Sequence, residues 1–207
     1  MTVDRPILLD LPMPIVTPRL VIRPVQPGDG VETCEAVRET FDQLRLWMPW
    51  TSEGLDTPEA IEANIRQAHA EFILRKDFRM NAYERDGERL AAFSGLHEPD
   101  WKLMKFEIGY WVRASAQGHG YAAETANAMA RYAFAVLGAR RVEICHADGN
   151  QASRAIIRKL GFRYEGRREC GHVLPDGSIV DDHRYVLLSP DPLPALDVHW
   201  GRYDRQR

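Results

Sequence analysis

Cysteine is scarce in this chain: three in 207 residues, at positions 34, 145 and 170. They are far apart, none lies in C-x-x-C spacing, and an odd number excludes a framework of paired disulfides; a reducing compartment is expected. Long apolar runs are missing as well. No stretch reaches the ~18 apolar residues that a membrane span needs. The opening MTVDRPILLDLPMPIV lacks a basic leader region and is interrupted by Asp10, Pro12 and Pro14, so it does not read as a signal peptide. The expected location is cytoplasmic, with no membrane partner. Positive charge is not in excess either. Lys plus Arg number 27 against 30 Asp plus Glu, a net charge of −3. A general nucleic-acid binder needs clustered positive charge, so that class is excluded, and the arginines at 140–141 and 167–168 read as solvated faces. The seven histidines show no H-E-x-x-H and no i, i+4 pairing, so no metal is assigned. There is no internal repeat.

What is present is an ordinary globular composition, 44% apolar and 28% charged, suited to one domain. The expected division is an irregular arm over 1–15, a domain over 16–189 and a Pro-rich tail over 190–207, in which Leu196, Val198 and Trp200 can pack on the body. Residues 19–25 alternate as a strand. A helix is predicted over about 31–46, with Val37, Phe41 and Leu44 on one face. Thr57-Pro58-Glu59 opens another, with Thr as cap and Pro at the first position, and Ile61, Ile65, Ala68 and Phe72 fall together on it. Strands are predicted at about 79–85 and 89–97 around the turn signal Asp86-Gly87, then at about 105–113. A glycine loop and a long small-residue helix follow, then the strand RRVEICH. A short helix carries Ile156 and Leu160 inward and stops at Gly161. Two strands pair around Pro175-Asp176-Gly177. Strands alternating with helices and hairpins give an α/β fold with a mixed sheet.

The loop Gln117-Gly118-His119-Gly120-Tyr121-Ala122 opens the long helix without a charged side chain. Amides at a helix start point outward and favour an anion, and glycine lets a ligand approach the backbone. Phosphate is the natural occupant. No Lys follows, which excludes a Walker A loop, and Ala123 stands where a dinucleotide fingerprint needs its third glycine. A nucleotide-binding module would also need an acidic ribose partner that the chain does not offer.

Two motifs together carry a family resemblance. One is this loop in the form Q-x-x-G-x-A. The other, some 30 residues later, is the helix ending Lys159-Leu160-Gly161-Phe162. From about Arg19 to Leu188 the chain resembles the GNAT acetyltransferase superfamily, and within it the RimJ/RimL-like branch of protein N-terminal acetyltransferases. The resemblance implies a splayed, mostly antiparallel sheet flanked by helices. It implies acetyl-CoA as cofactor, with its pyrophosphate on residues 117–122 and its pantetheine arm paired with the backbone of Trp111, Val112 and Arg113. It also implies that Asn150 contacts the pantetheine, that Ser153 protonates the leaving thiolate, and that Glu107 is the general base, acting through water. By their positions, Asn150 also suits a helix cap and Ser153 the third helical position. The carboxylate that related enzymes place before the first hairpin strand is absent, since Arg79 stands near there; Glu98 and Asp100 are reserves. Trp47 and Trp50 would wall the acceptor site. Cys145 reads as a structural thiol. The implied activity is acetyl transfer to an amine: a protein or peptide N-terminus, an amino-acid-like molecule, or a small amine such as an antibiotic or polyamine. A homodimer is compatible with it. A GNAT-fold acyl-CoA-binding protein without turnover is the reading from a different class.

Overall fold

The computed structural model describes residues 3–85 and 89–201. The turn signal at Asp86-Gly87 lies outside the described residues. Among the described residues nine strands form one sheet. Along the chain they are β1 (Ile15–Val16), β2 (Leu20–Pro24), β3 (Phe78–Glu84), β4 (Leu90–Asp100), β5 (Lys105–Val112), β6 (Arg141–Ala147), β7 (Arg163–Val173), β8 (Ile179–Leu187) and β9 (His199–Trp200). Their order across the sheet is β7-β8-β6-β5-β4-β3-β2-β1-β9. Every neighbouring pair is antiparallel except β5 with β6. Four helices flank the sheet: α1 (Gly30–Leu44), α2 (Pro58–Ile73), α3 (Tyr121–Ala135) and α4 (Gln151–Lys159).

Alternation along β5 shows how the two faces are used. Phe106 and Ile108 are buried with Ala126, Met129 and Ala133 of α3 and Ile157 of α4. Trp111 faces the opposite way and is buried with Val37 and Leu44 of α1 and Ile61, Ile65 and Ala68 of α2. This is the period-2 pattern of a strand covered on both faces. α2 starts as its sequence predicts: Thr57 accepts a hydrogen bond from the Ala60 amide and Pro58 takes the first helical position. α1 differs from expectation at Phe41, which is exposed; Thr33, Cys34, Val37, Thr40 and Leu44 make the buried stripe. In α4 the buried isoleucine is Ile157, with Ile156 only half-buried, because Ile157 and Leu160 share the inward face.

The feature that builds the site is in the middle of the sheet. β5 and β6 are parallel and joined through α3, yet they pair only from Lys105–Glu107 to Arg141–Glu143. Beyond Glu107 and Glu143 the two strands run on without pairing, to Val112 and Ala147. The sheet is open there. At its far edge, Ile15 of β1 pairs with Trp200 of β9, and Leu196, Val198 and Trp200 pack against the main core.

Candidate active site

The glycine loop stands at the mouth of this opening. Gly118 and Gly120 both have φ of +80°, a conformation that glycine adopts at little cost, and a Cβ built on Gly118 would meet nothing within 4 Å. Gly120 is the N-cap of α3. The amides of Gly120, Ala122 and Ala123 therefore precede the first carbonyl that the helix can offer them. The loop is fixed from behind. Arg19 donates to the His119 carbonyl at 2.7 Å and, through Nε, to Glu124 at 2.6 Å. Glu124, buried on the first turn of α3, also accepts from the Thr17 hydroxyl at 2.6 Å. The Gln117 amide bridges to the Val112 carbonyl at 3.3 Å and to Gln43 of α1. His119 stacks on Tyr121, with ring centroids 5.8 Å apart. These contacts hold the backbone of the helix start in place.

On β5 the ladder decides which backbone groups face the opening. The Arg113 amide donates to Ala91 of β4. Hydrogen-bonded pairs alternate along an antiparallel ladder, so Trp111, paired with Phe93, also spends its backbone groups on β4. Tyr110 and Val112 are the residues that turn theirs toward the gap. Of the three residues Trp111, Val112 and Arg113, only Val112 turns its backbone away from β4, and its carbonyl accepts from the Gln117 side chain. The Arg113 guanidinium is taken by Glu39 at 2.5 Å. Trp111 serves by its side chain, stacked on Phe93 with centroids 6.0 Å apart.

Across the gap, Asn150 caps α4 by accepting from the Ser153 amide at 3.0 Å. Ser153, at the third helical position, turns inward. Its hydroxyl lies 3.0 Å from the Tyr110 hydroxyl, spanning from α4 to β5. Burial pushes the Tyr110 phenol up to about 12, the Ser153 hydrogen bond partly offsetting it. Tyr110 thus stays protonated and acts as a donor. Trp47 borders this side: its ring is 3.5 Å from where a Cβ on Gly149 would lie, so it covers the start of α4 and does not line the cavity between the sheet and α1–α2.

The opposite face of the opening holds a cavity of about 490 Å³ between the sheet and α1–α2. Trp50, Met48, Leu55, Ile65, Phe93 and Trp111 give it apolar walls, and Asp77, Arg79, Asn81 and His97 give it a polar floor. Arg79 is neutralised by Glu71 at 2.8 Å and Asp77 at 3.4 Å. His97 donates or accepts through Nδ1 to Asp77 Oδ1 at 2.8 Å, and because that carboxylate also accepts from the Phe78 amide, the imidazole is the donor. Glu107 pairs with His97 across β4 and β5, but it does not line the cavity. Its carboxyl is raised above the usual range, first by burial and then by Glu98. Glu98 and Asp100 do not line the cavity either. Cys145 is half-buried, and burial pushes its thiol up, which makes it a poor nucleophile. Among the described residues no group of three or more His, Cys, Asp or Glu is placed to hold a metal, and no helix is long and apolar enough to cross a membrane.

His97, Asp77 and Tyr110 escaped the sequence reading. The available signal was glycine: Gly95 and Gly109 lie directly opposite each other on β4 and β5, and neither is in a turn.

A family model described as "Acetyltransferase (GNAT) domain" matches residues 19–163. The chain is 30% identical over 163 residues to YdaF of Bacillus subtilis (strain 168), named as a proposed ribosomal N-acetyltransferase, covering 75% of this chain and 84% of that one. It is 25% identical over 196 residues to the [Ribosomal protein uS5]-alanine N-acetyltransferase of Escherichia coli (strain K12), covering 87% and 93%. The fold is that of Mycobacterium smegmatis RimJ, solved in complex with CoA-disulfide: TM-score 0.79 over 90% of this chain and 91% of that one, at 22% identity. With the match spanning well over half of the sequence, the chain belongs to the GNAT family of acetyltransferases, whose acetyl donor is acetyl-CoA.

Proposed function

We propose that the chain transfers the acetyl group to the α-amine of a peptide or protein N-terminus that begins with an apolar residue. The observation that carries this reading is the cavity at the sheet opening. Its walls are apolar and aromatic, which suits a side chain. Its charged lining is Glu53, Asp77 and a guanidinium already held by Glu71 and Asp77, with His97 beside them. An ammonium group is matched there and a free carboxylate is not. The name of the Escherichia coli relative, which specifies an alanine of a ribosomal protein, agrees with an N-terminal acceptor.

In this reading the amides of residues 117–122 hold the pyrophosphate, Val112 and Asn150 border the pantetheine, and the Ser153–Tyr110 pair donates to the departing sulfur. Glu107, which the family resemblance implies as base, lies outside the cavity lining. Chemistry favours the α-amine as well. Its pKa is about 8 and that of a lysine side chain about 10.4, so near neutral pH roughly a fifth of α-amines are uncharged against about one lysine in a thousand. Acetyl-CoA with a panel of peptides, free or blocked at the N-terminus and with or without internal lysine, tests the proposal. The expected product is acetylated at the N-terminus, fastest with an apolar first residue. Faster modification of internal lysine in blocked peptides would overturn it.

A further inference from the structure

His97 is seated with unusual care. Gly95, two residues before it on the same face of β4, and Gly109, directly opposite Gly95 on β5, leave a shallow pit in the sheet. The Nε2 edge of the imidazole sits in it. A Cβ on Gly95 would come 2.6 Å from Nε2, and one on Gly109 would come 3.0 Å from it. Glycine weakens a strand interior, and its presence often marks a close approach; here the side chain that approaches is His97. The ring is then turned by Asp77, whose Oδ1 holds Nδ1 at 2.8 Å. Asp77 is itself fixed by the Phe78 amide at 2.7 Å and by Arg79, which is tied to Glu71 of α2. With Nδ1–H committed, Nε2 keeps its lone pair, and it has no hydrogen-bond partner among the described residues. The ring lines the acceptor cavity, next to Gly109, two residues past the last rung of the β5–β6 ladder.

From this geometry we infer that His97 is the base that takes the proton from the acceptor amine, and that Asp77 is its positioning residue. The inference rests on the acceptor reading of the cavity. The amine nitrogen bonds to the thioester carbonyl carbon and its proton passes to His97 Nε2. The carbon–sulfur bond breaks with its electron pair on sulfur, which takes a proton from the Ser153–Tyr110 pair. Solvent then removes the proton from His97 and restores the hydroxyl. The ionisable groups around the imidazole are Asp77 from the segment before β3, Arg79 on β3, Glu71 on α2, Glu107 across on β5 and Glu53 on the cavity wall. A histidine whose Nδ1–H is held by a carboxylate presents Nε2 as a proton acceptor, the arrangement general-base transfer needs.

The test compares wild type, His97→Gln, Asp77→Asn, Glu107→Gln and Gly109→Ala, with acetyl-CoA and a peptide carrying a free apolar N-terminus, across pH 6 to about 10, where the α-amine deprotonates. His97→Gln should lower kcat about 100-fold with the KM for acetyl-CoA unchanged, and its residual rate should climb with pH as the amine loses its proton unaided. Asp77→Asn should fall between it and wild type. Gly109→Ala, which displaces the ring without removing it, should lose rate while still binding acetyl-CoA by calorimetry, and it serves if His97→Gln does not fold. Glu107→Gln should lose less than tenfold. A folded His97→Gln with the wild-type rate and pH profile, or a Glu107→Gln more impaired than it, overturns the assignment while leaving the acceptor reading intact. A wild type that binds acetyl-CoA yet acetylates no α-amine overturns the acceptor reading and the base with it.

Discussion

Tyr110 and Ser153 reach each other from β5 and α4 across the open part of the sheet, hydroxyl to hydroxyl at 3.0 Å. A donor to a departing thiolate acts in the transition state, so Ser153→Ala is expected to lower kcat about 100-fold with little change in the KM for acetyl-CoA. Tyr110→Phe should fall in the same direction if the two act as one relay. Steady-state kinetics on both variants and the double mutant decide it: losses that add up independently would show two separate roles. The places of Asn150 as cap and Ser153 at the third helical position were legible because N-Q-A-S opens a recognisable helix. Tyr110 was not, since inside EIGYWV it is one more strand residue, and only the α4 contact distinguishes it. The same holds for His97. Its chemistry depends on two glycines that are neighbours only after β4 and β5 pair in register.

At the scale of elements, the glycine loop over 117–122 is a turn held by another strand. Arg19, at the start of the β2 segment, joins the His119 carbonyl to the buried carboxylate of Glu124. Arg19→Ala should free the loop without removing any of its amides. The expected outcome is an acetyl-CoA Kd about tenfold weaker, or ~1.4 kcal/mol, the lower end for a charged hydrogen bond because Arg19 is partly exposed. Calorimetry checks it, and an unchanged Kd in a folded variant would separate Arg19 from the loop. The elements themselves were largely readable, because cap chemistry and periodicity are local: α2 begins where Thr57-Pro58 places it. Phe41 went astray for a non-local reason. Period alone fits it to the stripe of α1, but the buried side is the one that meets the sheet, where Thr33 accepts from Asn81 of β3 and Thr40 from the Ala114 amide just after β5. The ladder direction at Trp111 and Arg113 was likewise invisible before β4 was paired.

At the scale of the whole molecule, the sheet is two blocks, β7-β8-β6 and β5 through β9, which share a ladder of three residue pairs, Lys105–Glu107 with Arg141–Glu143. Otherwise they are linked by the chain through α3 and by packing beneath it. A donor molecule lying in that gap would touch both blocks at once. By mass action, binding to the folded form alone stabilises it by about 2.7 kcal/mol at 100 times Kd, and for a chain of this size that raises Tm by about 5–10 °C. Differential scanning fluorimetry with acetyl-CoA reads this directly, and a Tm that does not move at saturating acetyl-CoA would contradict it. A donor bridging the open ladder would make the fold a gauge of its own fuel: the fraction of chain that survives heating or proteolysis would rise and fall with the acetyl-CoA around it.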